Sequence, residues 1–248
     1  MTFSIALAGK GGTGKTTLAG MLIKYLVGKG KTPVLAVDAD ANANLNEVLG
    51  VGAGETLGDA REDMKKGVAA GMTKDVYMEM KLQEAVVEST GFDLIVMGRP
   101  EGAGCYCAAN TLLTQYLEKL IDNYRYLVVD NEAGMEHISR LTTNNIDVLL
   151  VVSDATRRGL QAAHRIVELA DALKLNINRK LVMVNRTREA QSEVLEDAIA
   201  QYDIELIGMV PEDAGVQQFD LEGRPTVELP GENEALKAAY RIFDKILA

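Results

Sequence analysis

The sequence predicts an α/β fold: one doubly wound, mostly parallel sheet with helices on both faces. Three observations carry this. Short apolar runs recur along the 248 residues, at positions 3–8, 34–37, 94–97, 127–129, 148–152, 181–184 and 206–210. They are continuous rather than alternating in polarity, which marks strands covered on both faces and hence parallel strands between two layers of helix. Helical patterns fill the gaps, at 15–28, 111–123, 157–173, 189–202 and 234–247, and such alternation builds right-handed crossovers. Finally, a glycine-rich loop joins the first run to the first helical pattern, as it does in sheets of this kind.

The first strand runs into Gly9-Lys10-Gly11-Gly12-Thr13-Gly14-Lys15-Thr16-Thr17. This is G-x-x-x-x-G-K-[ST] in the strand–loop–helix setting that gives the motif its meaning. Glycines let successive backbone N–H groups turn toward phosphates with no Cβ in the way, and the helix N-terminus adds partial positive charge at the same place. Lys15 is placed to reach the β- and γ-phosphates and Thr16 to put its hydroxyl on Mg²⁺. Gly11, Gly12, Thr13, Gly14 and Thr17 complete the cradle. By chance the bare pattern arises in roughly one chain of this length in a hundred. Its flanking strand and helix make coincidence rarer still.

A second lysine, Lys10, gives K-G-G-x-G-K-T over residues 10–16. With it the sequence resembles the deviant P-loop ATPases that include the ParA, MinD and nitrogenase iron-protein families. The resemblance implies that Lys10 crosses a dimer interface to the partner's nucleotide, so that Lys10, Lys15 and Asp40 form the catalytic set. A solvent-facing lysine is the plainer alternative for Lys10.

The second strand ends in Asp38-Ala39-Asp40-Ala41-Asn42-Ala43-Asn44. Carboxylates at a strand's carboxyl end face the ligand crevice of an open α/β sheet. The resemblance assigns Asp40 to orienting or deprotonating the attacking water and Asp38 to the neighbourhood of Mg²⁺. A cap on the following helix is the alternative for Asp40. The family commonly carries Pro where Ala41 stands. Residues 52–90 read as a helical insertion, either a solvated surface excursion or a mobile lid.

The chain's two cysteines, Cys105 and Cys107, follow the third run in Gly98-Arg99-Pro100-Glu101-Gly102-Ala103-Gly104-Cys105-Tyr106-Cys107. In an extended segment, residues two apart share a side, so the two thiolates could hold one soft metal ion. Two buried bystander thiols are the alternative, and the glycine-rich flanks argue against burial. Two ligands do not complete a shell; a symmetric dimer would bring four thiolates together. His137 and His164 have no evident spacing to the pair and read as structural histidines.

The next strand ends in Asp130, followed by Asn131-Glu132-Ala133-Gly134. An acid after an apolar strand is the metal-side partner of a phosphate loop, and the segment resembles the D-x-x-A-G switch of the same superfamily; Glu132 could be only a surface residue. Later, Asn185-Arg186-Thr187-Arg188 follows a strand. A guanine reader would offer an Asp three residues after the Asn, and Arg188 stands there instead, so GTP is disfavoured. The resemblance assigns Asn185 to the adenine amino group, with Pro211 and Glu212 as the second base-contacting loop.

Together, K-G-G-x-G-K-T, D-A-D-A-N-A-N-L, G-R-P-x-G-x-G-C-Y-C and D-N-E-A-G resemble the CooC/AcsF type of ATPase across nearly the whole chain. That resemblance implies ATP/ADP and Mg²⁺ as cofactors and Ni²⁺ or Zn²⁺ bound through Cys105 and Cys107. It implies a nucleotide-dependent homodimer, and a client enzyme that is carbon monoxide dehydrogenase or acetyl-CoA synthase. The alternative is a positioning switch on DNA or membrane.

Composition narrows the field. With 47% hydrophobic and 25% charged residues, the chain has ordinary globular usage and is long enough for one substantial core. We therefore expect one domain over residues 1–248. A formal net charge of -10 argues against nucleic acid and anionic membrane as general partners. The N-terminal residues lack the basic start of a secretory leader, and no apolar run nears the ~18 residues of a membrane span. The expectation is a cytoplasmic protein with reduced thiols. The last helical pattern, 234–247, is amphipathic but only mildly basic, and reads as a core-packing helix.

Overall fold

Strand β1 (Phe3–Gly9) shows how both faces of the sheet come to be buried. Ile5 and Leu7 point to one side and pack with Leu18, Leu22 and Leu26, while Ala6 and Ala8 point to the other. The same alternation runs through β2 (Val34–Ala39), with Val34 and Ala36 on one face and Leu35 and Val37 on the other. Side chains of a strand alternate faces, so a continuous apolar run supplies two cores at once. The computed structural model describes residues 2–66, 73–98, 120–132, 145–188, 195, 197, 199–202 and 204–248.

Six further strands complete the sheet: β3 (Val86–Glu88), β4 (Phe92–Val96), β5 (Tyr126–Asn131), β6 (Asn145–Asp154), β7 (Asn176–Thr187) and β8 (Leu206–Pro211). Their order is β3-β4-β2-β5-β1-β6-β7-β8. Every pairing is parallel except β3 on β4. On one face lie α1 (Lys15–Gly28) and α7 (Glu234–Ile246), whose buried Leu22, Leu26, Ile242 and Phe243 share a core. On the other lie α3 (Leu57–Lys66), through Leu57 and Ala60, and α5 (Arg157–Ala172), through Ala163, Ile166 and Ala170. The doubly wound, mostly parallel fold read from the sequence is the one observed.

All seven anticipated strands are present, and α1 has the bounds its periodicity predicts. Two differences are instructive. Strand β3 was not anticipated; it lies in the 52–90 stretch, after α3 and α4 (Lys74–Glu84). Two half-buried valines and an exposed glutamate carry no periodicity, and antiparallel pairing with β4 is what makes them a strand. Strand β7 starts five residues before its apolar run, because polar Asn176–Lys180 pair with the equally extended start of β6. The predicted helices at 111–123 and 189–202 lie largely outside the described residues, as do His137, Ala133 and Gly134.

Helix α7 settles as the core helix its pattern suggested. Ala235, Leu236, Ala238, Ala239, Ile242, Phe243 and Ile246 are all buried, so its apolar stripe is spent on the sheet and α1. Among the described residues no helix is long and apolar enough to cross a membrane.

Candidate functional site

The carboxyl ends of β1, β2, β5, β7 and β8 all open on one edge of the sheet, and the predicted site residues gather there. The loop after β1 sets the geometry. Gly9, Gly12 and Gly14 have φ of 152°, 78° and 87°, values that L side chains resist. Space forbids side chains too: a Cβ on Gly9 would sit 2.3 Å from the Val152 carbonyl oxygen, and one on Gly14 would sit 2.5 Å from Asn185 Nδ2. Helices α4, α5, α6 (Ala214–Leu221) and α7 each begin with a side chain that caps backbone N–H groups: Thr73, Thr156, Asp213 and Asn233. Helix α1 begins at Gly14 with no such bond. Its first N–H groups stay available to an anion from outside the chain.

Buried Thr13 donates its hydroxyl to the Lys10 carbonyl oxygen at 2.9 Å, and Lys15 Nζ reaches the same oxygen at 3.4 Å. Lys15 is only 7% exposed. Burial lowers its pKa, opposed by the nearby carboxylates of Asp130, Asp40 and Glu132. Lys10, Gly11 and Gly12 are exposed, and Thr16 and Thr17 half-buried. Glu132, for which the sequence left a plain surface role open, is part of the charge balance around Lys15. Asn131 is also engaged, donating Nδ2 to the Leu7 carbonyl oxygen at 2.7 Å and so tying β5 to β1.

The two strand-end aspartates turn out to be unlike. Asp38 is fully buried, and backbone uses both its oxygens: Oδ1 accepts from Asp40 N at 3.0 Å and Oδ2 from Leu45 N at 2.9 Å. Burial nonetheless raises its pKa to about 6. It is thus Asp38 that serves the start of α2 (Leu45–Leu49), the capping role weighed for Asp40. Asp40, half-buried, accepts from Asn42 N at 2.8 Å. Asp130 is 1% exposed, and neither of its oxygens has a hydrogen-bond partner. Desolvation dominates and raises its pKa to about 7. Thr16 lies near enough to favour the charged form somewhat, without bringing either oxygen to hydrogen-bonding geometry. A buried carboxylate with two open oxygens, beside a threonine hydroxyl, supplies the hard oxygen ligands a divalent cation takes. Asp130 and Thr16 therefore fit Mg²⁺, and Asp38, close enough to Asp130 to raise its pKa, also orders 40–45 through its two backbone bonds.

An ionised Asp130 without a cation is costly. Its folded pKa lies above the ordinary 3.8, so across roughly pH 4–7 the native state holds more protons than the unfolded one, and stability falls as pH rises. Asp130→Asn removes the charge and keeps the shape. Without nucleotide or Mg²⁺ at pH 8, we expect the variant to melt several degrees higher, from about 2 kcal/mol of relieved desolvation. A flatter dependence on pH should accompany it. An equal or lower melting temperature would mean that the carboxylate is well satisfied.

A cleft opens between α1, the ends of β7 and β8, and α6, lined by Gly14, Thr17, Asn185, Arg186, Pro211 and Glu212. The predicted Asn185, Pro211 and Glu212 thus meet. Asn185 is 8% exposed and directed by the loop: Nδ2 donates to the Thr13 carbonyl oxygen at 2.9 Å, and Oδ1 accepts from Arg186 N at 3.0 Å. Arg188, which stands where a guanine reader would have an Asp, donates Nε to Glu212 Oε2 at 2.7 Å. Asp213, which closes the predicted base-contacting segment 210–213, also lines the cleft, as does Gln217, which was not singled out. The signal for Gln217 was the polar start of α6, where Asp213 accepts from Gly215 N and Val216 N.

Cys105 and Cys107 lie outside the described residues, and among those described no cluster of His, Cys, Asp or Glu suits a metal by itself. His164 is half-buried, with Nε2 3.4 Å from Glu168 and its ring 5.1 Å from Tyr202, while its Nδ1 is buried without a hydrogen-bond partner among the described residues.

Comparison with known proteins agrees with this geometry. Residues 4–227 match the CobQ/CobB/MinD/ParA nucleotide binding domain. An uncharacterized ATP-binding protein of Methanocaldococcus jannaschii is 42% identical, with 98% of each chain covered. The carbon monoxide dehydrogenase accessory protein CooC of Rhodospirillum rubrum is 30% identical over 91% of this chain and 89% of its own. Among solved structures, the MinD cell division protein of Aquifex aeolicus superposes with a TM-score of 0.72 at 22% identity, over 99% of this chain and 97% of that one. At that identity the likeness speaks for the fold.

Proposed function

We infer, from the premise that this chain belongs to the CobQ/CobB/MinD/ParA nucleotide-binding family, that it is an ATP-driven metal-delivery protein. The chain is an ATPase of that superfamily; the delivery role is the reading we advance. One observation carries the nucleotide site: an uncapped α1 N-terminus starts with Lys15, beside a buried Asp130 whose two oxygens are open. The triphosphate would lie on N–H groups of residues 11–16, with Lys15 on its β- and γ-phosphates. Thr16 and Asp130 would hold Mg²⁺, which when bound draws charge from the phosphate oxygens. Asp40 would orient the attacking water and take its proton. The Asn185 amide nitrogen is spent on the loop and its oxygen, which accepts from Arg186 N, has a second lone pair, so the group suits an amino donor such as adenine's rather than guanine's carbonyl.

The delivery role rests on the similarity to CooC across most of both chains and on Cys105 and Cys107. ATP binding would close a homodimer with Lys10 crossing to the partner's nucleotide, and four thiolates would then gather on Ni²⁺ or Zn²⁺. Hydrolysis would reopen the dimer and release the metal to carbon monoxide dehydrogenase or acetyl-CoA synthase, in the cytoplasm. A positioning switch on membrane is less well supported, because α7 has already buried its apolar face.

Metal analysis and mass measurement of purified protein, with and without ATP, test this reading. We expect one Ni²⁺ or Zn²⁺ per two chains in the ATP-bound dimer. Cys105→Ala/Cys107→Ala should keep nucleotide affinity and lose that metal; unchanged metal content would refute the assignment. ATP-dependent pelleting with liposomes or DNA would favour the positioning switch instead.

A further inference from the structure

We propose that Arg186 is a positioning residue for the nucleotide's phosphates, acting through the backbone of the glycine loop. The proposal rests on the ATP-site reading above. Strand β7 pairs with β8 through Asn185 on Val210 and Thr187 on Pro211, and its register shifts between those two residues. Arg186 is the residue left over. Its φ is 58°, a left-handed conformation unfavourable for a residue with a Cβ. An extra residue of this kind turns its side chain away from the direction the pleat would give it. Here the guanidinium is directed at the glycine loop, and Arg186 Nη1 donates to the Gly12 carbonyl oxygen at 3.1 Å. Its neighbour Asn185 donates to the carbonyl oxygen of Thr13.

Two consecutive residues at the end of β7 therefore hold two consecutive carbonyls of the loop. In a trans peptide the C=O and the following N–H point in opposite directions. Holding the Gly12 and Thr13 carbonyls on the β7 side turns the N–H groups of Thr13 and Gly14 to the other side, where the loop receives an anion. The Lys10 carbonyl is likewise held from within, by Thr13 and Lys15. The carbonyls of Lys10, Gly12 and Thr13 are thus occupied before a phosphate arrives, and the N–H groups of Thr13 and Gly14 are left facing outward. Gly14 bears the mark of this brace: a Cβ there would meet Asn185 Nδ2 at 2.5 Å and Arg186 Nη2 at 3.8 Å. Glycine is needed at 14 for the room the brace takes as well as for its φ.

The brace links the base cleft, which Arg186 also lines, to the phosphate cradle. A β-phosphate lies deep in such a cradle and an α-phosphate at its rim, so loss of the brace should be felt by ADP and ATP and spared by AMP. The test is calorimetry of wild type and Arg186→Ala with AMP, ADP and Mg·ATP. We expect Arg186→Ala to weaken ADP and ATP about tenfold, the size of one charge-assisted hydrogen bond, to leave AMP within about twofold, and to melt unchanged without nucleotide. If AMP weakens as much as ADP, Arg186 acts on the base side and the proposal falls; it falls equally if ADP and ATP bind as before. Lys15→Ala in the same series separates the two layers. Intact ATP binding there overturns the site itself, whereas lost binding there with unchanged Arg186→Ala overturns only the brace.

Discussion

Lys15→Ala is expected to weaken Mg·ATP binding by at least about 100-fold, read by calorimetry at fixed ionic strength. The amine is nearly buried, its burial already disfavours the charged form, and the carboxylates of Asp130, Asp40 and Glu132 sustain the charge. A cation so placed has given up most of its water before a ligand arrives, so a phosphate oxygen meets it with little further desolvation. Two charge-assisted hydrogen bonds, each contributing about 1.5–3 kcal/mol, account for the expected loss of roughly 3 kcal/mol or more. Alanine also removes the cation that favours ionised Asp130, which adds repulsion toward the incoming phosphates. Equal affinity in the variant would mean that the triphosphate does not lie on this loop.

Asp40→Asn is expected to slow phosphate release about 100- to 1000-fold while changing ATP affinity by less than about threefold. A positioned general base contributes on that scale. The substitution is nearly isosteric, and an asparagine oxygen can still accept from Asn42 N as Asp40 does at 2.8 Å, so the 40–44 turn should survive. What disappears is the proton acceptor. Single-turnover hydrolysis measures the step directly, without product release. Equal rates in parent and variant would instead describe a nucleotide-bound metal scaffold with negligible turnover.

These outcomes concern residues that sequence alone could place, because their signals are local. The glycine spacing of 9–14, the lysine and threonines after it, and the acids that close two of the apolar runs, Asp38 and Asp130, all lie within a few residues of the strands that position them. The strands were legible for a related reason. In a sheet covered on both faces each residue of a central strand enters one core or the other, as Ile5 and Ala6 do, so the run is apolar throughout. Where that reason fails, the reading failed with it. Strand β3 and the polar start of β7 exist by pairing, and pairing leaves no period in the residues concerned.

Sequence therefore determined the sheet, the phosphate loop and the roster of candidate residues, since each depends on chemistry repeated or clustered over short stretches of chain. Tertiary structure alone decided how the candidates divide their work. Asp38 and Asp130 look alike as acids at strand ends, yet one is saturated by backbone N–H groups and the other keeps both oxygens open. Arg186 meets Gly12 across 174 positions of sequence and Asn185 meets Thr13 across 172. Such bonds follow from strand order and register, which neighbouring residues along the chain do not encode.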